Sequence, residues 1–273
     1  MEAVLQRGAA FARERCTHQD EEDLVRKAGT ILLAVVTWSA CADASGDADK
    51  EPDPNDPPPI VSSWAPLAAD QTYEGKTLGE WAIEYGRWSY SQTSCDSPAF
   101  DQDGSLCGLY QDPESPVFFF DYSPTERMRT KCRVPAGKAI VVPILTFSYD
   151  NAGVDDPVGE DELRGATKVT LESMRDLKLK VDNRTVRDLA ERAFGPIAWD
   201  YKLPPAPNWY SCNGTDDVGE MTVNPSFMSG YVAVFPPPDP GIHELQYGGV
   251  MTWADDDYAI DTRTRFIVEQ ARE

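Results

Sequence analysis

The spacing of hydrophobic and polar positions changes several times along the chain, and each spacing points to an element. From Thr77 onward, Leu78, Trp81, Ala82, Tyr85 and Trp88 recur at helical intervals, which places them on one face of an amphipathic helix. Thr77 and Glu80 have capping-box spacing at its start, so the helix is expected to begin there with an aromatic face toward the core. Val117 to Asp121 (VFFFD) and Ala139 to Phe147 (AIVVPILTF) are apolar and β-rich, as buried strands require. Pro143 has no amide proton to give a ladder, so it predicts an edge or a bulge in the second strand. Leu163, Thr167, Leu171 and Met174 predict another helix between residues 160 and 177. Leu177, Leu179 and Val181 then alternate with Lys178 and Lys180, the period of a half-buried strand, before a turn at Asp182 and Asn183. Tyr231 to Phe235, a rigid PPPDPG turn, His243 to Tyr247 and finally Phe266 to Val268 continue as strands. Several strands interrupted by two helices predict a mainly β fold with helical insertions (α+β), a β-sandwich or jelly-roll-like single domain over residues 61–273.

The amino-terminal part has a different pattern. Residues 28–40, AGTILLAVVTWSA, form an apolar run after Arg26 and Lys27, the layout of a secretory signal. The run is too short to remain as a bilayer-spanning helix. Asp20, Glu21, Glu22 and Asp23 put negative charge where such a signal needs positive charge. Residues 1–24 are therefore taken as an over-extended leader, with translation starting at Val25 from a GTG codon and the signal occupying 25–41. Its end, Thr37-Trp38-Ser39-Ala40-Cys41, resembles a bacterial lipobox and makes Cys41 the expected lipid-bearing residue, although Trp38 stands where Leu is usual. Cleavage after Ala42 is the competing reading, because Ala40 and Ala42 satisfy the small-x-small rule. Residues 42–60 are acidic and proline-rich with almost no large apolar groups, the composition of an extended linker.

Charge and cysteine usage narrow the partners and the compartment. With 25 basic and 46 acidic residues the formal charge is -21, which repels nucleic acid and anionic headgroups, so the lipid anchor is the expected membrane contact. Apart from Cys16 and Cys41, four cysteines remain: Cys95, Cys107, Cys132 and Cys212. An even set in an exported chain predicts disulfides, and their wide spacing does not suit zinc. Three pairings are possible. Cys107 and Cys132 flank what reads as one antiparallel strand unit, so the expected set is Cys107 with Cys132 and Cys95 with Cys212.

Candidate chemistry is sparse. There is no G-x-S-x-G elbow, and Gly75-Lys76-Thr77 lacks the first glycine of a phosphate-binding loop. Glu80 and Glu84 share a helical face, more simply a solvated face than a glycosidase pair. Asp150, Asn151, Asp155 and Asp156 crowd one loop, and Asp101 and Asp103 another beside Gly104. Such oxygen-rich loops suit Ca²⁺, though neither has EF-hand spacing. No other cofactor is expected. Trp199, Trp209 and Tyr210 lie in a proline-rich stretch and are candidate exposed rings for stacking on sugars. His243, the only histidine of the expected domain, is flanked by Ile242 and Leu245 and reads as a structural hydrogen-bonding group.

Three segments, GKTLGEW at 75–81, CRVPAGK at 132–138 and PGIHELQYGG at 240–249, resemble the ordered motifs GK-x-x-GEW, C-x-VPAGK and PG-x-H-x-L-x-FGG. These motifs belong to a family of uncharacterised secreted bacterial (lipo)proteins, and the likeness covers roughly residues 70 to 250. The resemblance implies export and a shared fold, carries no catalytic residue, and has no place for Cys95 or Cys212. The resulting expectation is an envelope lipoprotein, outer membrane-anchored or extracellular, whose β domain binds a protein or glycan partner without catalysis. The alternative is a secreted, carboxylate-dependent hydrolase acting on glycans with Ca²⁺ assistance.

Overall fold

Thr77 begins helix α1 (Leu78–Tyr90) by a reciprocal cap: its hydroxyl accepts from the Glu80 amide, and its own amide donates to the Glu80 carboxylate at 2.7 Å. The helix buries Leu78, Trp81, Ala82, Tyr85 and Trp88, the stripe its spacing requires. The computed structural model describes residues 63–122, 128–154, 156–215, 218–253 and 256–270. The expected leader, signal, lipid-bearing Cys41 and linker lie outside the described residues.

After α1 come β1 (Val117–Phe119), β2 (Arg129–Val134), β3 (Ala139–Tyr149), α2 (Glu160–Ser173), β4 (Arg175–Val181), β5 (Arg184–Thr185), β6 (Ala193–Leu203), α3 (Trp209–Cys212), β7 (Met221–Phe235), β8 (Gly241–Trp253) and β9 (Asp256–Val268). They build two mixed sheets packed together, β1-β3-β7-β6 and β2-β9-β8-β4-β5. The fold is mainly β with helical insertions, a β-sandwich-like α+β arrangement as expected. β1 runs parallel to β3 and β2 parallel to β9, while the other pairs are antiparallel.

Alternation explains which faces are covered. Val117, Phe119, Val141, Val232 and Val234 of the first sheet join α1 in one core, while Phe118, Phe120, Ile140, Val142, Ala233 and Phe235 join the second sheet in another. A sheet buried on both faces needs unbroken apolar runs, which VFFF and AIVVPIL provide. The second sheet turns alternate residues inward, Cys132 and Val134, Leu179 and Val181, Leu245 and Tyr247, Phe266 and Val268, hence its alternating strands. Pro143 sits where the β3–β7 register shifts and beyond the stretch of β3 that pairs with β1, so the strand has a bulge there and only β7 as its neighbour. Gly137 supplies the positive φ of 79° in the turn between β2 and β3. At Gly248 the strands approach so closely that a Cβ would lie 1.9 Å from the Ile260 carbonyl oxygen.

Two expected elements differ. The helix between 160 and 177 ends at Ser173, because Arg175 already pairs with Val250 and Leu177 belongs to the following strand. β6 was read as a proline-rich stretch; Gly195 and Pro196 masked the alternation of Trp199, Tyr201 and Leu203 that buries one face.

Both expected disulfides form, Cys107–Cys132 and Cys95–Cys212. The first pair does not flank the antiparallel unit expected of it: Cys107 lies in a turn, and β2 pairs with β9 in parallel. From their sequence separations of 25 and 117 residues, loop entropy gives upper contributions of about 3 and about 5 kcal/mol.

Candidate functional site

The fold brings two separately read groups of residues to one end of the first sheet. Strand alternation in β6 turns Trp199 and Tyr201 to the same side, where their rings stack at 4.8 Å. Tyr90, the last residue of α1, packs on Tyr201 at 4.5 Å, Trp209 at 5.0 Å and Trp199 at 5.8 Å. The Cys95–Cys212 bond holds α3, with Trp209 and Tyr210, against the chain leaving α1. Asp150, just past β3, closes the group: its carboxylate accepts from the Tyr201 hydroxyl at 2.8 Å, the Tyr210 hydroxyl at 2.9 Å and the Ala152 amide at 2.9 Å.

The two phenol oxygens are also 2.9 Å apart, so Asp150, Tyr201 and Tyr210 form a triangle of short O···O contacts. Two phenols supply two protons, and the third contact gains one when Asp150 is protonated. Burial pushes the Asp150 carboxyl above its ordinary range, with the Ala152 amide and the two tyrosines pulling the other way. Burial, the neighbouring Asp150 charge and the Tyr210 and Tyr90 phenols raise Tyr201 far above an ordinary phenol.

Trp199 is corrected as a surface ring. It is only 5% exposed, because pairing of β6 with β7 slides it beneath α1, where a Cβ on Gly86 would come 2.9 Å from the indole. Trp209 and Tyr210 are half-buried. Tyr90 and Tyr201 were not singled out from the sequence. Tyr201 follows Trp199 at the two-residue strand spacing, a usable signal once β6 is recognised, whereas Tyr90 falls off the helical stripe of α1 and gave none.

The oxygen-rich loops serve the chain's own backbone. Asn151 exchanges two hydrogen bonds with Val158, each at 3.0 Å, and Asp156 is exposed; Asp155 lies outside the described residues. Asp101 caps a turn by accepting from the Gly104 and Leu106 amides, and Asp103 pairs with Lys131. To take up Ca²⁺, Asp150 would have to release two hydroxyl donors that already face its oxygens. Among the described residues no group of three or more His, Cys, Asp or Glu side chains stands ready to hold a metal ion.

Another enclosed carboxylate, Asp121, is 4% exposed. Asp121 accepts from the Tyr85 hydroxyl at 2.7 Å, Ser89 at 3.0 Å and the Tyr122 amide at 2.8 Å. Its carbonyl oxygen accepts from Tyr247 at 2.6 Å and from Arg129 at 2.8 Å, and Arg129 is 1% exposed. Burial raises the Asp121 carboxyl, opposed by Tyr85, the Tyr122 amide, Ser89 and the Arg129 charge.

No protein-family model, no curated protein and no solved structure matches the chain. The chemistry of the site therefore rests on its own geometry. Asp150 and Asp121 each spend their oxygens on donors from several elements, which makes them internal anchors. Glu80 is taken up by the helix cap and Glu84 pairs with Lys76 at 3.0 Å, so these acids belong to a solvated helix face. His243 meets acceptors at both ring nitrogens, the Asp182 carboxylate at 3.0 Å and the Asp239 carbonyl at 2.9 Å, an arrangement that calls for two N–H donors and hence an imidazolium. Burial lowers its pKa, but Asp182 and Asp239 outweigh it and hold the ring above its ordinary value. This is the structural role expected of it.

Proposed function

We propose that this chain is an exported envelope protein, anchored by lipid on Cys41, whose disulfide-stabilised β domain binds a partner at the cell surface without catalysing a reaction on it. The observation that carries the reading is the pair of disulfides, Cys107–Cys132 and Cys95–Cys212. Such bonds persist outside the reducing cytosol, and here each ties a loop to a separate element. The secretory pattern of residues 25–41 and the acidic 42–60 stretch agree with it. The three ordered segments that resemble motifs of secreted bacterial proteins fall at the α1 entry, the β2–β3 turn and β8.

The hydrolase alternative draws less from the site. Asp121 and Asp150 belong to separate hydrogen-bonded anchors, whereas a glycosidase pair must flank a bound sugar with room for a water or a nucleophilic attack. The test is made in cells that carry the native gene. Free thiols are blocked before lysis, and the mature protein is analysed by mass spectrometry. All four domain cysteines should be protected as disulfides and the amino-terminal peptide should start at a lipid-modified Cys41. Blocked, reduced thiols at Cys107 and Cys132 would overturn the reading.

A further inference from the structure

The outward face of the second sheet has a charge opposite to that of the molecule. Register sets Glu244 beside Arg265, Gln246 between Arg263 and Lys180, and Gly248 between Asp261 and Lys178; Arg133 of β2 stands beside Ile267, itself opposite Ile242. Six cations, Arg133, Arg175, Lys178, Lys180, Arg263 and Arg265, thus share this face with three acids, Glu244, Asp257 and Asp261, on a chain of formal charge -21.

In the middle of the face the acids lie low and the cations stand high, while Asp257 at its end is taken up by Arg175. Glu244 and Asp261 side chains are 27% and 26% exposed, against 45% for Arg265, 48% for Arg263 and 40% for Lys178. With no side chain on Gly248 in the way, Lys178 reaches Asp261 at 3.3 Å, and Gln246 and Arg263 bond the same carboxylate. Burial alone would raise Asp261, but these three donors outweigh it and keep the group below the ordinary carboxylate range. Lys180 and Arg133 are exposed and form no ion pair among the described residues.

Resting on the reading of this domain as a surface binding module, we propose that this face docks a carboxylate-bearing acidic polysaccharide laid across the strands. The cations repeat at about 6.8 Å along β4 and β9, and these two strands stand about 9.6 Å apart on either side of β8, which offers successive partners to an extended polymer. Guanidinium groups take carboxylates in paired hydrogen bonds. Ile242, 37% exposed, and Ile267 add an apolar patch beside Arg133 for the C–H side of a sugar ring. At physiological salt, charges more than about 8 Å away are largely screened, so the face's own sign governs contact. The acids within the face, Glu244 and Asp261, still disfavour a densely charged polymer such as duplex DNA over a more sparsely charged glycan.

The experiment passes the mature protein over immobilised polygalacturonate at about 0.15 M salt, with duplex DNA as a parallel surface. Wild type should be retained on the polyuronate, be displaced by the soluble polymer, and pass over DNA. The double variant Arg133→Glu and Lys180→Glu, whose side chains are exposed, should keep its melting temperature and bind about tenfold or more weakly, about 1.4 kcal/mol or more. Lys168→Glu on α2, a charge reversal away from this face, should bind like wild type. Equal binding by the double variant, equal retention on DNA, or no retention of wild type on the polyuronate would each overturn the proposal. The disulfide state of the same preparation reports separately on export, so the two readings can fail independently.

Discussion

Asp150 and Asp121 are carboxylates that the fold encloses among hydroxyls, and His243 is its enclosed imidazole; their titration should dominate how stability follows pH. The Asp150 carboxyl is raised in the fold. Its favourable contribution is complete below the unfolded value of about 3.9 and is lost as pH rises through the folded value. Asp150→Asn keeps an acceptor without the charge, so its melting temperature should fall less than that of wild type between pH 4 and neutrality, in units about one apart. Parallel melting curves for the two proteins would contradict this. His243 follows the same sign with a different window: its contribution is complete below about 6.5 and drains away as pH climbs through its raised folded value. Replacing it by Gln should flatten the loss of stability on the alkaline side, read from denaturant midpoints at a series of pH values. Arg129→Met should destabilise by about 3 kcal/mol, because it strips the Asp121 carbonyl, Tyr247 and Thr264 of a buried donor at once.

At the scale of elements, the bond Cys95–Cys212 is the tie that keeps α3 against the end of α1. The double Cys→Ser variant should lose up to about 5 kcal/mol and free Trp209 from Tyr90, visible as a shift in tryptophan fluorescence; an unchanged spectrum and melting temperature would show that packing alone holds α3. Elements whose signals were local could be read from the sequence. α1 was legible because its cap and its stripe agree, and β4 because its alternation ends at two residues of positive φ, Asp182 and Asn183. β6 was not, since Gly195 and Pro196 interrupt the strand spacing and its pairing partner, β7, arrives 18 residues after Leu203. The boundary between α2 and β4 slipped because Leu171, Met174 and Leu177 suit a helix stripe as well as the small core they form at the end of the sheets. The site was legible only in fragments. Asp150, Tyr210 and Trp199 were each noticed, but their meeting depends on a contact across 60 residues between Asp150 and Tyr210, which no local spacing encodes.

For the molecule as a whole, the informative property is the segregation of charge. The acidic excess is spread over the chain, whereas the cations of the second sheet are gathered by strand alternation into one plane. The order in which the strands appear along the chain matters just as much. β9, the latest described strand, lies between β2 and β8, and β2 has β9 as its neighbour in the sheet. β2 therefore waits for a segment more than a hundred residues downstream, and the five-strand layer cannot knit together while that segment is still inside the ribosome. Late closure of this kind makes one whole wall of the sandwich the last part of the molecule to become rigid.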